Sequence, residues 1–83
     1  MKEVTENAIV REKTVEIING ESHVVTRLLL MEVVATSVIP EGYNFPASVE
    51  IYLRGIDTPW VAGFPDLKEA RAFDSFLWAM RTA

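Results

Sequence analysis

Apolar, largely β-branched positions at both ends of Ala8–Ile18 (AIVREKTVEII) predict a first strand, and Asn19-Gly20 follows it between β-branched runs. An Asn-Gly pair in that setting predicts a type I′ hairpin turn, because both central residues need positive φ. A two-residue turn there would place Ile18 opposite Glu21, Glu16 opposite His23 and Glu12 opposite Arg27. The other face would receive Val15 with Val24 and Ile9 with Leu30. A slip of one residue would lose both sets together.

From Ser22 to Ile39 the chain has no Gly or Pro and is dominated by Val, Thr, Ile and Leu. Extended, it would span about 60 Å, whereas a domain of this length is roughly 25–30 Å across. The segment must therefore bend, break at a bulge or reach into another subunit. The expectation is one long bent strand, its first half paired with strand one and its second half with strand three. The alternative is a helix over Arg27–Ala35, since Leu-Leu-Leu-Met-Glu has good helix propensity.

Residues 40–46 (PEGYNFP) form a connection of turn formers, and Ser48–Arg54 alternates cleanly. Val49, Ile51 and Leu53 share one face of that strand, while Glu50, Tyr52 and Arg54 share the other. A turn at 55–59 leads to a short last strand, Trp60–Phe64. The spacing then predicts a helix over Leu67–Arg81, with Asp66 as N-cap and Glu69 three residues on. Its apolar stripe is Leu67, Ala70, Phe73, Leu77 and Met80, widened by Phe76. Together these elements predict an α+β fold: a four-stranded antiparallel meander with a long, bent second strand and one C-terminal helix on one face. Residues 1–7 read as a flexible N-terminus and 8–83 as a single domain.

The apolar side chains outnumber what one face can hide. In the two-residue-turn register, Val15, Val24, Leu28 and Leu30 point to one side, where the helix would lie. Val10, Val25, Leu29 and Met31 point to the other, followed by Val33. One helix cannot cover both faces, and large exposed apolar patches are uncommon in monomers. Val10, Val25, Leu29, Met31 and Val33 are therefore the expected partner-binding residues. Trp78, off the main helix stripe, joins them as a possible aromatic anchor.

Composition narrows the chemistry. With 83 residues, no cysteine and a net charge of −4, the chain has no material for disulfides or thiolate metal sites. Its acidic balance argues against direct nucleic-acid binding, and Tyr52, Arg54, Lys68 and Arg71 are too few to reverse it. No apolar run approaches a membrane span and no signal-peptide pattern opens the chain, so a cytoplasmic protein is expected. The single histidine, His23, reads as a surface cross-strand partner, and Glu32 as a marker of a wet face or edge. The glycines at 20, 42, 55 and 63 are isolated, so there is no phosphate loop. No enzyme activity, cofactor or metal is expected.

The stretch Trp60–Ala70 (WVAGFPDLKEA) resembles the strand-turn-helix junction of HicB-type antitoxin domains but lacks the loop that family places there, and nothing is carried over from it. The function expected is a small interaction or regulatory module, homodimeric through an apolar sheet face. Two alternatives stand beside it: an acidic inhibitor blocking a nucleic-acid site on a host protein, and a small-ligand-binding domain with a pocket between sheet and helix.

Overall fold

The computed structural model describes residues 8–19 and 22–82. The fold is α+β, with a C-terminal helix packed on antiparallel sheet, but the strands form two three-stranded sheets rather than one of four. β1 (Ala8–Val10), β2 (Thr14–Ile18) and β3 (Val25–Leu29) make the first sheet, in that order. β4 (Val33–Ile39), β5 (Ala47–Leu53) and β6 (Trp60–Phe64) make the second, and α1 (Leu67–Thr82) follows.

Both expected long strands are broken, each where the inward parity switches. In the first, Ala8 and Val10 share the inner face with Val15 and Ile17, so even positions give way to odd across Arg11-Glu12-Lys13. Three consecutive charged residues cannot enter a core, and the backbone turns there, the Arg11 N–H donating to the Thr14 carbonyl at 2.7 Å. In the second, buried Leu28 and Leu30 give way to buried Val33 across a single 3-10 turn at Leu30–Glu32.

The turn hands the chain from one sheet to the other. The Leu30 N–H still donates to the Lys13 carbonyl of the first sheet, and the Arg54 N–H donates to the Glu32 carbonyl at the start of the second. The bend is therefore real, and the expected pairing of its two halves holds. A molecule 33 × 25 × 24 Å has no room for the straight alternative. The helical tendency of Leu-Leu-Leu-Met-Glu is spent on that one turn.

The first hairpin has a different register from the one expected. Ile18 lies opposite Val25, Val15 opposite Leu28 and Glu16 opposite Arg27. Residues 19–24 connect the strands, so the loop is longer than a two-residue turn, and Ile18 faces Val25 rather than Glu21; Gly20 and Glu21, and with them the expected I′ geometry, lie outside the described residues, as do residues 1–7. Asn19 organises the described part. Its Oδ1 accepts from the Ser22 N–H at 2.9 Å, its carbonyl accepts from the His23 N–H, and its own N–H donates to the Val24 carbonyl. His23 sits in this loop at φ 63, a left-handed conformation that histidine adopts more readily than most residues, and not opposite Glu16. At the other tight turn, Gly55 at φ 77 lies between Arg54 and Ile56, and the Ile56 N–H donates to the Leu53 carbonyl at 3.1 Å. A side chain there would be strained by the backbone alone.

One core serves both sheets and the helix. Val15, Leu28, Leu30, Val33, Val49, Ile51, Phe64, Ala70 and Leu77 are buried together. Alternation in β5 is as expected, with Val49 and Ile51 buried and Leu53 packed against the core. The helix starts as expected too: Asp66 Oδ1 accepts from the Glu69 N–H at 2.9 Å and satisfies one of the free first-turn donors. Phe73 stacks on Phe64 of β6, their centroids 4.9 Å apart. Phe76, expected to widen the buried stripe, is instead 52% exposed. The helix uses its other flank, where Asp74, Trp78 and Arg81 reach β4.

Candidate interaction surface

Turning outward from the first sheet, the side chains opposite the core are Ile9, Thr14, Glu16, Ile18, Val25, Arg27 and Leu29. Three of the six expected partner-binding residues lie on or beside this face and are open to solvent: Val25 at 43%, Leu29 at 53% and Met31 at 66%. Ile9, at 36%, extends the patch at β1, whereas Val24, at 57%, is exposed in the loop beside Ile17 and Thr26. Met31 sits on the 3-10 turn and shares a groove wall with Leu29.

The other three belong elsewhere. Val10 turns to the core face because the Arg11–Lys13 turn reverses the parity on which its outward placement depended, and it packs against the buried cluster. Val33 is fully buried for the same reason, the 3-10 turn having shifted its phase. Trp78 is half-buried and hydrogen-bonded: its indole Nε1–H donates to Thr36 Oγ1 at 2.9 Å, and that hydroxyl donates on to Asp74 Oδ1 at 2.7 Å. It is therefore a staple between α1 and β4 rather than a free anchor. Thr36 itself gave no sequence signal, since a Thr within VVATSVI reads only as strand.

Charge crosses the middle of the apolar face. Glu16 accepts from Arg27 Nε at 3.0 Å and lies 3.6 Å from Arg11 Nη2. The hydrogen bond from Arg27, aided by the charge of Arg11, holds the Glu16 carboxyl below its usual value despite some desolvation. The expected Glu12–Arg27 pair does not form, because the register places Arg27 beside Glu16 instead. Glu32 pairs with Arg54 at 3.4 Å near the edge of the second sheet. There the Tyr52 hydroxyl donates to Glu50 Oε1 at 2.8 Å, which raises the tyrosine pKa because ionisation would forfeit that bond beside a negative charge.

Two open grooves flank the first sheet. One, of about 500 Å³, lies between the β1–β2 turn, the 3-10 turn and the end of α1, with Leu29 and Met31 on its wall. The other, of about 540 Å³, lies beside Ile18, Val24 and Trp60. Among the described residues no group of three or more His, Asp or Glu is placed to hold a metal ion, and no helix is long and apolar enough to cross a membrane. Glu16, Glu32, Glu50, Asp66 and Asp74 each engage another group of the chain. The outer face of the first sheet is thus a non-polar surface with an ion pair at its centre. Comparison with protein-family models, with curated proteins and with solved structures finds no match to this chain.

Proposed function

We propose that this chain is a small interaction module that acts by binding, and that its first partner is a second copy packed against the outer face of the first sheet. The observation that carries this reading is the exposure of Val25, Leu29 and Met31 on the side of the sheet away from the core. Water contact with such side chains costs free energy that association recovers, at roughly 1.5–3 kcal/mol for a full side chain.

Area sets how far the contact must extend. A standard interface takes about 800 Å² from each partner. That is about a seventh of the 5427 Å² surface of this chain, so the contact has to run the length of β3 and on to Met31. In a two-fold arrangement the Glu16 of each copy, already flanked by Arg11 and Arg27, brings its own counter-charges into the contact. No carboxylate at the centre would then be buried unpaired.

Sedimentation velocity of the wild type and of Leu29→Glu, with circular dichroism on both, tests the reading. A concentration-dependent dimer that Leu29→Glu converts to a folded monomer is the expected result. A wild type that stays monomeric at millimolar concentration, or a Leu29→Glu chain that dimerises as well as the wild type, rejects it.

A further inference from the structure

We propose that the groove between the β1–β2 turn, the 3-10 turn and the end of α1 binds an amphipathic anion, a carboxylate carrying a straight apolar chain. The groove holds about 500 Å³, within the usual range for small-molecule sites. Its walls are Leu29, Met31 and Met80. Two methionines facing one space make an adaptable lining, since an unbranched thioether can follow the shape of a flexible chain.

Charge supplies the second half of the argument. Lys13 and Arg81 line the same groove, with Glu12 as its only acid. Neither cation forms an ion pair among the described residues, in a protein whose net charge is −4. Arg81 is held in place, its Nε–H donating to the Val33 carbonyl at 3.1 Å. Lys13 is fixed at its backbone, where its carbonyl accepts from the Leu30 N–H at 2.9 Å, while its ammonium has no partner among the described residues. An apolar floor beneath two cations, against the one carboxylate of Glu12, leaves a positive excess complementary to a chain with one negative head. A neutral chain would leave both cations unmatched, and a cationic one would be repelled. The carboxylate would sit nearer Lys13 than Arg81, because the last carbonyls of α1 disfavour an anion at the helix end.

Methyl spectra of the full chain, labelled at methionine and titrated with decanoate, decanol and decyltrimethylammonium below their micelle concentrations, test this site. Saturable shifts of the Met31 and Met80 methyls with decanoate are expected. Decanoate should bind at least roughly fivefold tighter than decanol, as one or two partly exposed charge-assisted bonds would give. Decyltrimethylammonium should bind more weakly than either. Lys13→Gln should bring decanoate to the level of decanol and leave decanol unchanged. Equal binding of the three probes, shifts that do not saturate, or a Lys13→Gln chain with undiminished preference for decanoate overturns the proposal. Leu29 and Met31 belong both to this groove and to the proposed dimer face, so Met80, which that contact does not include, is the deciding methyl, and sedimentation of the same samples separates a change in association from occupancy of the groove.

Discussion

Replacing Thr36 with valine keeps a β-branched side chain on β4 and removes the one oxygen that two helix residues share. In the wild type the Trp78 indole N–H donates to that hydroxyl at 2.9 Å and the hydroxyl donates to Asp74 at 2.7 Å. A neutral hydrogen bond contributes about 0.5–1.5 kcal/mol net and one to a charged acceptor about 1.5–3. All three groups are only part-buried, so water can partly replace what is lost, and the lower half of the summed range applies: about 2–3 kcal/mol. An 83-residue domain has roughly 4–12 kcal/mol to lose. Urea unfolding followed by far-UV circular dichroism should show the midpoint falling by about 2–3 M at an unchanged slope of about 1 kcal/mol/M. Combining Thr36→Val with Trp78→Phe in a double-mutant cycle should give a coupling of about 1 kcal/mol, since each change removes the same bond. A loss under about 0.5 kcal/mol for Thr36→Val, or strict additivity of the two changes, would refute the view of Trp78 as a staple.

Other substitutions separate core from contact surface. Leu29→Ala should weaken a two-fold dimer about 10- to 200-fold by sedimentation equilibrium, since roughly half of a 1.5–3 kcal/mol side chain is newly buried in each of two copies; monomer stability in urea should hardly move. Val33→Ala should do the reverse, costing about 2–3 kcal/mol of stability through lost burial and a cavity, with association of the remaining folded chain unchanged. Glu16 has its pKa lowered by Arg27, so its contribution to stability is present above the unfolded value near 4.5 and is lost as pH falls through the lower folded one. Glu16→Gln should therefore flatten the acid limb of a stability-versus-pH curve measured by urea unfolding, and an unchanged limb would contradict the ion-pair reading.

Legibility of this fold in its sequence follows the strength of each local signal. α1 was readable nearly to the residue because Asp66, Glu69 and the Ala70–Leu77 spacing agree with one another. β5 was readable because Val49, Ile51 and Leu53 keep one parity over its whole length. The breaks were harder to see. Length alone showed that Ser22–Ile39 had to bend, but the place of the bend lay in a parity switch between Leu30 and Val33, hidden inside a uniformly apolar run. The Arg11–Lys13 turn announced itself more openly, by three charges and the shift from Val10 to Val15. Asn19-Gly20 misled because a strong two-residue signal competes with tertiary pairing, and the β2–β3 register aligns Val15 with Leu28 in the core. Those same phase changes moved Val10 and Val33 inward while leaving Val25, Leu29 and Met31 outside. Trp78 could not be read, because its partner Thr36 is 42 residues away.

Intermolecular contacts seen by isotope-filtered nuclear Overhauser spectroscopy, on an equal mixture of labelled and unlabelled chains, probe the outer face of the first sheet most directly. Cross-peaks from the methyls of Val25, Leu29 and Met31 to protons of the other copy are expected, with none from the buried methyls of Val33 or Val49. Cross-peaks confined to another surface, or none from a sample that tumbles as a monomer at millimolar concentration, would contradict association through this face.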